Sequence, residues 1–79
     1  MKEAFIATFY SHFGAMAFHK QCKEAGFESR IMPVPRTLSS SCGTCVWFKG
    51  DPRQACSWEM EELEQMVKCV NKGGYKKIM

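Results

Sequence analysis

The sequence predicts an α+β domain whose elements run βαββαβ. Three observations carry that expectation: an apolar run too short for a helix, helical stretches with start and stop signals, and β-branched and aromatic clusters between turn formers. Glu3 to Phe9 (Glu-Ala-Phe-Ile-Ala-Thr-Phe) is the apolar run, nearly continuous and so suited to a strand buried on both faces. Ser11 then offers a hydroxyl to the free amides of a first helical turn. Ala15, Phe18, Cys22 and Ala25 follow at spacings of three and four, and Gly26 closes that helix. Phe27 to Met32 reads as a second strand, stopped by Pro33 and Pro35, which have no amide to give to a ladder.

Residues 33–43 are loop by composition, Thr44 to Phe48 a third strand, and Gly50-Asp51-Pro52 a turn. Ser57 is positioned to cap a second helix, with Glu59, Glu61 and Glu62 near its positive end and Met60, Leu63, Val67 and Val70 as its apolar face. Gly73-Gly74 would end it, and Tyr75 to Met79 would form the last strand. This order is that of a ferredoxin-like sandwich: a four-stranded antiparallel sheet in the order 4-1-3-2, with two helices on one face. Runs one and three are the apolar ones and belong in the centre. Runs two and four carry Arg30, Lys76 and Lys77, charges suited to guarding edges.

Residues 1–79 make a single domain with a small margin of stability. The net charge of +3 is low and its lysines and arginines are scattered, which argues against nucleic acid as a partner. Apolar stretches of about five to seven residues cannot span a bilayer, and the start of the chain lacks a signal-peptide pattern. The expected setting is therefore the cytoplasm. There, five cysteines, an odd number, are expected to be thiols and not a disulfide framework.

Strand directions then sort the cysteines. With strands one and two pointing up and three and four down, the top rim gathers Tyr10, Ser11 and His12, the loop 33–43, the start of strand three, and the end of helix two with Cys69. Cys42 and Cys45 fall beside the start of helix one, where amides and the helix dipole favour an anion. The nucleophilic form of cysteine is the thiolate. Arg36, protonated His12 and the hydroxyls of Ser39, Ser40 and Ser41 are candidates to support it, and Gly43 leaves room for backbone amides. Cys56 falls at the opposite end, roughly 15–20 Å away. Cys22 belongs to the core, Phe13, Met16 and Phe18 to core or interface, His19 to the surface, and Trp47 and Trp58 to strand and helix packing.

The segments Ala7-Thr-Phe-Tyr-Ser-His-Phe-Gly-Ala-Met16 and Met32-Pro-Val-Pro-Arg-Thr-Leu-Ser-Ser-Ser-Cys-Gly43 resemble the selenium/sulfur carrier-like family of small prokaryotic proteins. The resemblance covers nearly the whole chain. It implies a carrier, not an enzyme with its own turnover, that holds sulfur or selenium covalently on Cys42 as a persulfide or selenopersulfide, with no other cofactor. It implies a cysteine desulfurase or selenocysteine lyase as donor, and selenophosphate synthetase or another biosynthetic protein as acceptor. The family commonly has an apolar residue at position 45, so Cys45 departs from the pattern and is a candidate resolving thiol.

Two other functions fit the same residues. Cys42 and Cys45 would serve a thiol–disulfide switch. With His12 or Cys69 they would hold a soft metal loosely, although a structural zinc site asks for a second close Cys/His pair that the sequence does not offer. Edge strands, with Phe13 and Phe27 if exposed, also leave room for a homodimer.

Overall fold

The computed structural model describes residues 3–38, 42–58, 60–70 and 74–78. Its elements are β1 (Ala4–Phe9), α1 (His12–Glu24), β2 (Glu28–Pro33), β3 (Thr44–Lys49), α2 (Pro52–Cys56), β4 (Leu63–Cys69) and β5 (Tyr75–Lys77). The strands form one antiparallel sheet in the order β2-β3-β1-β4-β5.

β1 occupies the middle because its sequence suits no other place. Phe5 to Phe9 are all buried, so both faces of the strand must be covered and both edges paired. Phe5, Ala7 and Phe9 join the cluster beneath the helices, while Ile6 belongs to a second cluster on the other face. Thr8, the buried polar residue of the strand, donates its hydroxyl to Glu64 at 3.3 Å.

α1 begins and ends as its caps dictate. Ser11 has extended backbone angles and its Oγ accepts from the Gly14 amide at 3.1 Å. At the other end Gly26 has φ +82°, and the amides of Gly26 and Phe27 return to the carbonyls of Lys23 and Cys22. This two-bond closure is tolerated best by glycine. Gly14, Ala15, Phe18 and Cys22 are the buried face. Phe18 is the centre of the core, with its ring 5.2 Å from Phe9 and 5.3 Å from both Phe48 and Trp58. Phe27 stacks on Phe48 and tilts against Trp58. It therefore packs into the core and is not a free dimer contact.

The second half corrects the predicted fold. No helix starts at Ser57: residues 63–69 form β4, paired along β1 from Phe5↔Lys68 to Phe9↔Leu63. Met60, Leu63, Val67 and Val70 do have helical spacing, but β1 leaves an unpaired central edge that only another strand can satisfy. Met66 and Val67 are adjacent and both buried, on opposite faces, as in a central strand. The helix lies earlier, in the segment expected to be a turn. Asp51 caps it by accepting from the Arg53 amide at 2.9 Å, Pro52 takes the first helical position, and Ala55 is buried against the helix-side core. The sheet thus has five strands, not the four of the predicted ferredoxin-like order. The Tyr75 strand sits outside β4 and not beside β1, while Met79 and the glycine stop at Gly73 lie outside the described residues. Lysines 76 and 77 do fall on an edge, now that of β5.

Candidate functional site

At the top of the sheet, the first turn of α1, the start of β3 and the start of β4 converge. His12, the first residue of α1, shares a 2.6 Å hydrogen bond between its Nδ1 and Oγ1 of Thr44, the first residue of β3. Two residues before Thr44, the half-buried Cys42 directs its thiol at the Thr44 carbonyl, with sulfur and oxygen 3.4 Å apart. Thr44 therefore holds both groups, through its hydroxyl and its carbonyl.

Local backbone explains the placement. Gly43 has φ +74°, in the region that costs an L side chain roughly 1–2 kcal/mol, and its carbonyl accepts from the Val34 amide. That turn lets residue 42 double back toward α1 while residue 44 enters the ladder opposite Pro33. Cys42 packs against the helix-side cluster together with Leu63, Met60 and the aromatic residues Phe27 and Trp58.

Cys45 stands differently. It is fully buried, belongs to the cluster on the helix-free face and directs its thiol to the Pro33 carbonyl at 3.6 Å. Burial pushes its pKa up to about 11. Cys42 and Cys45 are thus packed into opposite sides of the sheet, both as free thiols. Joining them would require one sulfur to leave its cluster.

Of the other expected supports, Ser11 faces the site as the cap of α1, whereas Arg36 is exposed in the turn closed by Leu38 N–H to Pro35 O. Ser39, Ser40 and Ser41 lie outside the described residues. Cys69 is corrected in place: β4 runs antiparallel to β1, so Cys69 ends near Phe5, at the bottom. The exposed Cys56 is also at that end, lining a groove of about 510 Å³ with Phe5, Arg53 and Lys68. Cys22 is buried, with its pKa pushed up to about 12 by burial. His19 is half-buried, bonded through Nδ1 to Ser29 Oγ at 2.8 Å, and its pKa is lowered, first by burial and then by Lys23. Among the described residues no three His, Cys, Asp or Glu side chains gather to hold a metal ion.

Sequence reasoning missed Glu62. Assigned to a helix, it instead enters the rim ahead of β4: its carbonyl accepts from the Tyr10 amide at 2.8 Å and its carboxylate from Ser11 Oγ at 2.5 Å. A carboxylate therefore sits at the amide-rich start of α1, where the dipole favours negative charge. Gly14 makes this possible, since a Cβ there would fall 2.3 Å from the Glu62 Cβ. The signal available was Gly14 itself, a residue poorly suited to a helix interior unless something packs against it.

The family profile described as "Putative Se/S carrier protein-like" matches residues 4–74, and the chain belongs to that family. It is also 31% identical over 78 residues to "Uncharacterized protein YtiA" of Escherichia coli (strain K12), a match covering 99% of this chain and 91% of that protein. No solved structure matches the chain. No helix among the described residues is long and apolar enough to cross a membrane.

Proposed function

We propose that the protein carries sulfur or selenium on Cys42, as a persulfide or selenopersulfide, between a donor and an acceptor protein in the cytoplasm. The observation that supports this reading best is the contrast among the thiols near the top of the sheet. Cys42 is half-buried at the rim and held by Thr44, whereas Cys45 is fully buried on the other face. A carried atom must be both sheltered and reachable, and position 42 meets both needs.

In the loading step the Cys42 thiolate attacks the outer sulfur of a donor persulfide. A sulfur–sulfur bond forms at Cys42, the donor's sulfur–sulfur bond breaks, and its inner sulfur leaves as a thiolate. The thiol proton must first depart. His12, bonded to the same Thr44, is the side chain we assign to accept it. Delivery repeats the exchange with the acceptor as nucleophile, so the cycle needs no external oxidant or reductant. A cysteine desulfurase or selenocysteine lyase fits the donor's chemistry, and selenophosphate synthetase or another biosynthetic protein fits the acceptor's.

The test is loading by a desulfurase supplied with cysteine, followed by mass spectrometry of the intact chain. One sulfur, about 32 Da, should add to wild type and not to Cys42→Ser. Equal loading of the serine variant would remove the proposal.

A further inference from the structure

The solvent face of α1 changes character along its length. Its exposed residues include Phe13, Met16, Ala17, Lys20, Lys23 and Glu24, spaced to share one side of the helix. The half remote from Cys42 is charged, as expected for a surface helix. The half adjoining Cys42, past the exposed His12 at its first position, is apolar. Phe13 is 80% exposed and Met16 61%, and Tyr10, just before the helix, is 54% exposed. Phe13, Met16, Ala17 and Lys20 line a shallow groove of about 440 Å³.

No interior packing accounts for these side chains, because the buried face of α1 is complete with Gly14, Ala15, Phe18 and Cys22. Large exposed apolar side chains gathered in one place mark an interaction surface, and aromatic residues with methionine are its usual anchors. Position identifies the occupant. Phe13 directly follows His12, whose ring is tied to the residue that holds the Cys42 thiol. A macromolecule seated on this groove would bring its own reactive atom to the same rim. Lys20 within the groove and Lys23 beyond it outnumber Glu24 on this side of the helix, leaving a net positive charge that an acidic margin would complement.

We infer that the Phe13–Met16 face of α1 is the docking surface for the protein that bears the persulfide, whose contact region is an apolar pocket with acidic residues on its Lys20 side. This rests on the carrier reading of Cys42. It adds that loading is templated by α1 and is not a random encounter of thiols.

The experiment compares two sulfur donors on three proteins: wild type, Phe13→Ala/Met16→Ala and Lys20→Glu. One donor is a cysteine desulfurase charged with cysteine; the other is inorganic polysulfide, which needs no docking surface. Both altered positions are solvent-facing and alanine suits a helix, so the double variant should fold as wild type does. The expected result is a loss of about tenfold or more in the rate of desulfurase loading for the double variant, equivalent to about 1.4 kcal/mol, with a smaller loss for Lys20→Glu. Polysulfide loading should be unchanged in all three. Equal desulfurase loading of wild type and double variant overturns the docking surface and leaves the carrier intact. A parallel fall with polysulfide also overturns it, by making these residues part of the thiol's own setting. A wild-type dimer that the double variant converts to monomer assigns the face to a second copy of the chain and overturns it too. Wild-type Cys42 that accepts sulfur from neither donor removes the carrier reading itself.

Discussion

Replacing Gly14 by alanine sets two opposed effects against each other. Gly14 lies inside α1, where alanine is favoured over glycine by about 1 kcal/mol. The new Cβ, however, would stand 2.3 Å from the Glu62 Cβ and 3.1 Å from its Cγ, against about 3.5–4 Å for an ordinary carbon–carbon contact. The obstructing atom is fixed to the backbone, so a rotamer change cannot relieve it, and α1 and the start of β4 must separate. Overpacking of this kind costs about 1–3 kcal/mol. Disturbing the Ser11–Glu62 bond adds about 1 kcal/mol. The net expectation is about 1–3 kcal/mol of destabilisation, a fall in Tm of about 5–15 °C for a domain of this size. Thermal and urea unfolding followed by circular dichroism would measure it. Adding Glu62→Gly should recover part of the loss, because it deletes the atom that collides. A single variant more stable than wild type would refute the reasoning, since helix propensity would then have outweighed the contact.

Other consequences can be measured as directly. Phe18→Ala should cost about 3–5 kcal/mol, since it empties the point where Phe9, Phe48 and Trp58 meet, and should leave little folded protein at 37 °C by the same unfolding assay. Gly43→Ala should lower stability by about 1–2 kcal/mol through its positive φ alone, because nothing obstructs the added Cβ, and should slow polysulfide loading of Cys42 by displacing it. Alkaline pH should destabilise the fold. Burial holds Cys45 and Cys22 protonated up to about 11 and about 12, while the same thiols ionise near 9 once unfolded. Stability present below about pH 9 is therefore lost progressively from there to about pH 12. The urea midpoint should fall across that window, and fall less in Cys22→Ala/Cys45→Ala.

The first half of the fold could be read from the sequence because local and global signals coincide there. Ser11 and Gly26 bound α1 chemically, and the unbroken run from Phe5 to Phe9 announces a strand covered on both sides. The second half misleads because they conflict. Residues 59–70 combine good helix formers with spacings of three and four, yet the open edge of β1 recruits Leu63–Cys69 as a strand. Asp51-Pro52 did carry the signature of a helix start, outweighed by its equal fitness for a turn. Within the site, the place of Cys42 beside α1 follows from strand direction alone. The orientation of Cys45 does not, because Cys45-Val46-Trp47-Phe48 is apolar on both faces and offers no alternation to read. Gly14 signals that something packs on α1 but does not identify Glu62, for a third reason: the partners of Glu62, Tyr10 and Ser11, lie about fifty residues away in sequence.

The most direct measurement of the central claim is a residue-level map of all five cysteines, by fragmentation of their peptides, after transfer of isotopically labelled sulfur from a protein persulfide. Label is expected on Cys42, with none on Cys22 or on Cys45 three residues away, and it should be lost when an acceptor is added. Label that settles on exposed Cys56 in preference to Cys42 would contradict it.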